Sequence, residues 1–212
     1  MAYASKKLLV LILASVTLAA SLSACVLLIV GGAVMVAIDR RTTGVQIDDQ
    51  NIELRAASRV NDSLGDRGHV NIVSYNRRVL LTGEVPSQQD KEKVEQIASS
   101  QENVKWVVNE LAVQGNSTFS QRSNDSLITG RVKAALLDTK DLNVNAFKVV
   151  TERGIVYLMG RVTQREADRA SDVARATSEV KKVVRVFEII TEDELRELAP
   201  PPATPASSAG KP

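Results

Sequence analysis

The stretch V-L-L-T-G-E-V at residues 79–85 returns as V-Y-L-M-G-R-V at residues 156–162, with its apolar and glycine positions in the same order. The similarity extends in both directions along the chain. Upstream, R-V-N-D-S-L at 59–64 matches R-V-K-A-A-L at 131–136; downstream, V-K-W-V-V at 104–108 matches V-K-K-V-V at 180–184. An internal repeat of this kind indicates two copies of one structural unit, each about 65 residues long.

Hydrophobic periodicity gives both copies the same order of elements. Apolar residues four positions apart predict a first helix, and two alternating runs after it predict a β-hairpin. The hairpin turns are placed at Asn76–Arg77 and at Arg153–Gly154. A second helix and a last strand follow, and a strand that is reached through a helix pairs in parallel. We therefore predict an α+β fold of two αββαβ domains, each with a small mixed three-stranded sheet covered by two helices.

Gly83 and Gly160 stand near the end of the second strand of each copy. A glycine within a strand indicates a bulge or a close approach of two backbones. A phosphate-binding loop is disfavoured, because neither a glycine-rich run nor a Lys-Ser/Thr pair follows. We predict a structural role for both glycines.

The ordered series resembles the BON domain, a bacterial module of envelope and osmotic-shock proteins. The resemblance rests on the V-x-L-x-G-x-V strand, on the helix after it, and on the V-K-x-V-x-N turn that begins at Val104. It covers about residues 48–190. It implies two tandem BON domains, at 48–114 and 124–191, joined by a polar linker at 115–123.

The amino-terminal region differs from the rest of the chain. Lys6 and Lys7 precede an uncharged stretch at residues 8–38, a pattern that indicates export or membrane insertion. Two interpretations compete for this stretch. One is an uncleaved membrane anchor; the other is a signal peptide at 1–24, followed by a lipidated amino terminus and an apolar stem at 25–47.

A four-residue motif favours lipidation. Leu22-Ser23-Ala24-Cys25 resembles a bacterial lipobox, in which the cysteine is acylated, by palmitate among other chains, and becomes the first residue. Cys25 is the only cysteine of the chain, so it cannot form an internal disulfide. The resemblance also implies sorting to the outer membrane, because Val26 is not the aspartate that retains such proteins in the inner membrane.

The sequence contains no motif that points to catalysis. It has no H-E-x-x-H, no G-x-S-x-G and no cysteine cluster. His69, the only histidine, is interpreted as a strand-edge residue rather than a base or a ligand, and Trp106 as a sheet-packing residue. We predict a protein without enzymatic activity, cofactor or bound metal; a hydrolase with an unrecognised site is the alternative.

Charge is distributed unevenly between the two copies. The formal net charge of the chain is only +2. Residues 49–114 carry eight Lys and Arg against ten Asp and Glu, whereas residues 122–190 carry thirteen against nine. Exported proteins seldom meet nucleic acid, so an anionic phospholipid membrane is the better partner for the basic second domain.

The first helix of the second copy is predicted to expose an apolar strip. If residues 125–139 rotate by about 100° per residue, Ile128 and Val132 lie on the buried face. The far face carries Leu127, Gly130, Ala134 and Leu137, flanked by Arg131 and Lys133, with Arg122 just before the helix. An apolar strip bordered by cations is typical of a helix at a membrane interface. The alternative is that Leu127 packs against the other domain or the linker.

The family resemblance implies the same partner, because dual-BON lipoproteins are thought to bind anionic phospholipid through this helix. Relatives tend to carry Trp at the position of Leu127, and Leu lacks the ring suited to the headgroup layer, which predicts weaker binding here. We predict a lipid-anchored outer-membrane protein that faces the periplasm and supports envelope integrity. The alternative is a protein-interaction adaptor at the cell envelope or division site. A disordered Pro-, Ala- and Ser-rich tail is predicted at 192–212.

Overall fold

The computed structural model describes residues 39–198, which form two αββαβ domains and a short last helix. The first domain contains α1 (Thr43–Leu64), β1 (His69–Tyr75), β2 (Arg78–Val85), α2 (Gln88–Ser99), β3 (Trp106–Asn109) and β4 (Ala112–Val113). The second contains α3 (Phe119–Asp138), β5 (Lys148–Glu152), β6 (Ile155–Val162), α4 (Gln164–Ala176) and β7 (Lys182–Ile189). The last helix is α5 (Glu192–Leu198), and short 3-10 turns stand at Gly65–Arg67 and Val144–Ala146. The predicted α+β fold and its order of elements are confirmed.

Both sheets are mixed in the way the connections require. In the first, β1 pairs antiparallel with β2, and β3 and then β4 pair parallel to β2, so that β4 continues β3 after a short interruption. In the second, β5 pairs antiparallel with β6, and β7 pairs parallel to β6 over the whole strand. A hairpin gives the antiparallel pair and a helical crossover the parallel one.

Each hairpin closes with a two-residue turn of left-handed backbone. Asn76 and Arg77 have φ angles of 53° and 64°, and Arg153 and Gly154 have φ angles of 55° and 74°. Two successive residues with positive φ are what a type I′ turn requires, and the twist of this turn matches that of the strands. The predicted turn positions are confirmed.

A buried carboxylate from the first helix of each domain binds the hairpin turn. Asp49 accepts hydrogen bonds from the backbone N–H groups of Asn76 at 2.8 Å and Arg77 at 2.7 Å. Asp125 accepts them from Arg153 and Gly154, both at 2.8 Å. These turn N–H groups have no partner in the strand ladder, so the aspartates satisfy them. The first helix is thereby linked to the hairpin in both domains.

The two strand glycines allow a close approach of backbones. Gly83 has a φ of 111°, and a Cβ atom there would collide with the carbonyl oxygen of His69. A Cβ atom at Gly160 would collide with the carbonyl oxygen of Ala146. The predicted structural role of both glycines is confirmed.

The sheets of the two domains pack against each other through the faces that the helices leave uncovered. Helices α1 and α2 cover one face of the first sheet, and α3 and α4 cover one face of the second. The core between the sheets consists of strand residues from both domains: Val73, Tyr75, Leu80, Val150, Tyr157, Met159 and Val186. The two domains therefore form four layers, in the order helix, sheet, sheet, helix.

Two segments differ from the sequence-based expectation. Helix α3 begins at Phe119, inside the predicted linker, because Thr118 and Gln121 form a capping box at its start. The first residues of the predicted tail form α5, because Thr191 and Glu194 cap it reciprocally: the Glu194 N–H donates to Thr191 Oγ1 at 3.1 Å, and the Thr191 N–H donates to Glu194 Oε2 at 2.7 Å.

Trp106 is 61% exposed at the start of an edge strand, so its interpretation as a sheet-packing residue is wrong.

Several predictions about the ends of the chain fall outside the described residues. These are the signal peptide at 1–24, the acylation of Cys25, most of the stem at 25–47, and residues 199–212 of the tail. Among residues 39–198, no helix combines the length and the apolar composition needed to cross a membrane.

Candidate functional site

Helix α3 presents an apolar strip to solvent. Its buried face consists of Asp125, Ile128, Val132 and Leu136, which recur every three or four residues. On the opposite face, Leu127 is 59% exposed and Leu137 is 67% exposed. Gly130 and Ala134, also exposed, lie between them. Leu127 therefore keeps most of its surface free of both the other domain and the linker among the residues described.

Phe119 extends the strip by two helical turns, and the prediction from the sequence did not include it. It is the first residue of α3 and is 80% exposed. Eighteen residues separate it from Leu137, which at 3.6 residues per turn places both on the same side of the helix, about 27 Å apart. The apolar strip is hereafter defined by its residues Phe119, Leu127, Gly130, Ala134 and Leu137.

Two cations border the apolar strip, as predicted, but they differ in their surroundings. Lys133 is exposed beside Leu137. Arg131, beside Leu127, pairs with Glu179 at 2.7 Å across to the loop before β7. The charge of Arg131 is therefore partly neutralised, while that of Lys133 faces solvent.

Arg122, the remaining predicted site residue, does not lie on the apolar strip. Its position around the helix is close to that of Lys133, eleven residues later, but its side chain is directed differently. Its side chain is half-buried and donates to the carbonyl oxygen of Ser117 at 2.5 Å. The structure therefore brings together the other five predicted residues, Leu127, Arg131, Lys133, Ala134 and Leu137, without Arg122.

A groove with a volume of about 710 Å³ runs along a neighbouring side of α3. It is lined by polar residues of the first turns, including Gln121 and Asn124, and by Lys181 from the loop before β7. Glu179, the partner of Arg131, also lines it. The basic character of the second domain is thus shared between the edge of the apolar strip and this groove.

A cavity of about 370 Å³ lies between the domains, beneath the first turns of α3. It is lined by the start of β1, the end of β5 and one side of α3. His69 and Glu152 line it, and these two residues and Glu84 each offer one ligand atom within 4.8 Å of the other two. Among the residues described, this is the group of side chains that could hold a metal ion.

The carboxyl groups at this cavity differ in their protonation. Burial raises the pKa of Glu152 to about 7, and the neighbouring carboxylates of Glu84 and Asp125 add to the effect. Burial would also raise the pKa of Glu84, but the Ser117 N–H and the Arg153 guanidinium outweigh it and hold that pKa below its ordinary value. The cluster was not recognised in the sequence, where His69 was interpreted alone.

Comparisons with known proteins agree with the fold. The BON domain matches residues 48–115 and 124–191. Outer membrane lipoprotein DolP of Haemophilus influenzae is 40% identical over 190 residues, which cover 87% of this chain and 96% of the relative. The 21 kDa hemolysin of Actinobacillus pleuropneumoniae is 34% identical over 155 residues, covering 72% and 80%.

A third relative matches over a shorter length. Osmotically-inducible protein Y of Escherichia coli is 32% identical over 117 residues, covering 54% of this chain and 58% of the relative. The two BON-domain matches and the alignment with DolP over most of both sequences together identify the family. The chain belongs to the BON-domain family, as a dual-BON protein similar to outer membrane lipoprotein DolP.

Proposed function

We propose that this chain is a non-enzymatic outer-membrane lipoprotein, anchored by an acylated Cys25, whose apolar strip on α3 contacts anionic phospholipid and supports envelope integrity. The observation that carries the lipid contact is the exposure of three large apolar side chains on one side of one helix: 80% for Phe119, 59% for Leu127 and 67% for Leu137. Single exposed apolar residues are ordinary, but a row of them along a helix marks a contact surface.

The anchor and the apolar strip complement each other. Burying a large apolar side chain fully contributes about 1.5–3 kcal/mol, and a helix at the headgroup layer buries its strip only in part. Binding of α3 alone would therefore be weak. A lipidated amino terminus on the same chain raises the local concentration of membrane, so weak affinity suffices.

The charge around the apolar strip supports an anionic surface. Lys133 is exposed at one border, and Lys181 lies in the groove beside the other side of α3. Each cation near an anionic membrane contributes about 1 kcal/mol. The first-domain helix α1 also exposes two large apolar residues on one side, Ile47 at 54% and Leu54 at 70%, but Arg55 next to Leu54 is paired with Glu102.

A protein-interaction adaptor at the envelope or division site is the second candidate, and one observation favours it. Arg131 is already paired with Glu179, so the border next to Leu127 is close to neutral. An apolar helix face with a neutral border suits a hydrophobic groove on another protein as well as it suits a lipid surface.

Depth-dependent quenching distinguishes these candidates. In full-length chain carrying Trp106→Phe, the substitution Leu127→Trp places a single indole on the apolar strip, and Leu54→Trp places one at a matched exposed position on α1. Both are reconstituted in nanodiscs with acyl-brominated lipid. We expect quenching at position 127 that increases with anionic lipid, and none at position 54.

Equal quenching at both positions, or none at position 127, would contradict the lipid contact. Protein adducts from a photo-crosslinker at position 127 in cells would then support the adaptor. The anchor is tested separately by the intact mass of membrane-extracted protein. We expect a chain that starts at Cys25 with added acyl mass; an intact chain from Met1 would exclude the anchor.

A further inference from the structure

We propose that His69, Glu84 and Glu152 form a binding site for a divalent first-row transition metal such as Zn²⁺, at the junction of the two domains. The site is independent of the apolar strip and of the lipid anchor. His69 and Glu84 come from paired positions of β1 and β2, and Glu152 comes from the end of β5 in the other domain.

The distances suit one ion. The Nδ1 atom of His69 lies 3.5 Å from Oε2 of Glu84. Two ligands at about 2.1 Å from a tetrahedral zinc ion are separated by about 3.4 Å. All three ligand atoms lie within 4.8 Å of one another, which is slightly wider than this spacing, so a small side-chain adjustment is needed to close the site around an ion.

The hydrogen bonds around the cluster leave one ligand atom, Nδ1 of His69, without a partner in the described part of the chain. Nδ1 of His69 is buried and has no hydrogen-bond partner among residues 39–198. Glu152 is only 3% exposed, and the carboxylates of Glu84 and Asp125 lie close enough to repel it. A buried nitrogen without a partner, next to carboxylates that repel one another, is costly unless a proton or a cation bridges these groups.

Glu84 keeps a lone pair for the ion although it already accepts two hydrogen bonds. Oε1 accepts from Arg153 Nη1 at 3.0 Å, and Oε2 accepts from the Ser117 N–H at 3.1 Å. Each carboxylate oxygen has two lone pairs, so Oε2 can also bind a metal on the side facing His69. The Arg153 contact holds the Glu84 carboxylate in this orientation.

The balance of charge around the cavity tolerates a cation. Glu152 and Asp125 line it with acidic groups and Arg122 with a basic one, while Arg153 pairs with Glu84 beside it at 3.0 Å. The carboxylates of Glu84 and Glu152 repel each other at this distance, and a divalent ion between them replaces that repulsion by attraction.

The donor set and the access route indicate the class of metal. One imidazole nitrogen with two carboxylate oxygens suits zinc and its first-row neighbours, whereas magnesium and calcium prefer oxygen alone. The His69 side chain is 32% exposed, and the 370 Å³ cavity gives room for a water ligand. A bound ion would join the two domains, because its ligands come from both.

The test uses full-length protein without an affinity tag, purified in detergent and stripped with a chelator. Binding of Zn²⁺ is measured by calorimetry and by the concentration-dependent rise of the thermal unfolding midpoint. Cu²⁺ is added as a spectroscopic probe, because nitrogen coupling in its electron paramagnetic resonance spectrum reports imidazole. His69 is the only histidine of the chain, so that coupling identifies the site directly.

We expect one Zn²⁺ per chain, with an affinity on the order of tenfold or more lower in His69→Gln and in Glu152→Gln. Glu53→Gln is the matched control, because Glu53 pairs with Lys148 across the same interface at 2.9 Å but lies outside the cluster. It should bind Zn²⁺ like the unmodified chain. Absence of binding, equal affinity in all variants, or loss in Glu53→Gln as well would overturn the proposal; Mg²⁺ at the same concentration should leave the midpoint unchanged.

Discussion

The guanidinium group of Arg131 lies 2.7 Å from the carboxylate of Glu179, with both side chains about half exposed. Glu179 therefore competes with lipid phosphate for the cation nearest to Leu127. We predict that Glu179→Gln strengthens the contact of α3 with anionic lipid by about 1 kcal/mol, or about fivefold, because it frees one cation at the surface.

The measurement is the anionic-lipid fraction that gives half-maximal quenching of an indole introduced by Leu127→Trp. Glu102→Gln is the control, because Glu102 forms a comparable exposed pair with Arg55 on the first domain, at 3.3 Å. An unchanged half-maximal fraction in Glu179→Gln would show that the pair does not limit binding.

Gly83 gives a second prediction, about stability. Any side chain there meets the carbonyl oxygen of His69 and must adopt a φ of 111°. We expect Gly83→Ala to lower the free energy of unfolding by about 3 kcal/mol or more, since strain and a steric clash act together.

Gly130→Ala is the matched control for this substitution. Gly130 lies in α3, has open space around its Cα and has no positive φ. The same change should therefore raise the stability by about 0.5–1 kcal/mol, because glycine is a poor helix former. Both are measured by urea unfolding of the full chain; similar midpoints for the two variants would refute the backbone argument.

Asp125 gives a third prediction, about the link between helix and hairpin. Its carboxylate is 6% exposed and accepts two backbone hydrogen bonds. We expect Asp125→Ala to lower the free energy of unfolding by about 3 kcal/mol, because hydrogen bonds to charged groups contribute about 1.5–3 kcal/mol each and are only partly replaced by water. Asp62→Ala, at an exposed position of α1, should change stability by less than about 0.5 kcal/mol. A similarly small change in the free energy of unfolding for Asp125→Ala would mean that the hairpin turn is stable without the hydrogen bonds to Asp125.

The equivalence of Asp49 and Asp125 also shows where sequence comparison of the repeats fails. Matching 59–64 with 131–136 shifts the first helices by 72 positions, whereas the two aspartates are 76 positions apart. Buried residues recur about every helical turn, so a shift of one turn preserves the apolar pattern and cannot be detected from it. A shift of 72 positions would make Arg55 the counterpart of Leu127, whereas the shift of 76 positions makes it Asn51. Only the hydrogen bonds to the turns reveal the correct shift.

The features that could be predicted from the sequence are those set by residues close together in the chain. The hairpin turns and the strand glycines need particular backbone conformations, and these leave residue types that can be recognised in the sequence. The apolar strip followed from helical rotation alone, and Phe119 could have been added from the capping box at Thr118 and Gln121. The exposed position of Trp106 could not, because alternation does not tell an edge strand from a central one.

The His69 cluster depended on long-range packing. Strand register places His69 opposite Glu84, and the stacking of the two sheets brings Glu152 from the other domain. No spacing between these three residues is characteristic of a metal site, since they lie on three strands of two domains. Such a site becomes visible only after the domains are packed together.

The ion pair between Arg40 and Glu166 gives the last prediction, on the dependence of stability on pH. Both Nη atoms of Arg40 donate to the Glu166 carboxylate at 2.7 Å, and both side chains are buried. Burial would raise the pKa of Glu166, but Arg40 and the Thr163 N–H outweigh it and hold that pKa below the ordinary value of 4.5. The folded state therefore binds this proton less readily than the unfolded state does.

The sign follows from this difference. A carboxyl group with a lowered pKa stabilises the fold above its unfolded pKa, about 4.5, and this contribution is lost as the pH falls through the folded pKa. Near neutral pH, Glu166→Gln should lower the free energy of unfolding by about 3 kcal/mol, because Arg40 stays buried without its partner. Below about pH 4 the variant and the unmodified chain should differ less in their free energy of unfolding. Glu166 of the unmodified chain is then protonated in the folded state and, like Gln, carries no charge to pair with Arg40. Urea unfolding across this pH range measures it, with the exposed Glu192→Gln as a control that should show no such convergence. A constant difference at all pH values would exclude Glu166 as an acid-sensitive contact between the segment around Arg40 and the second domain.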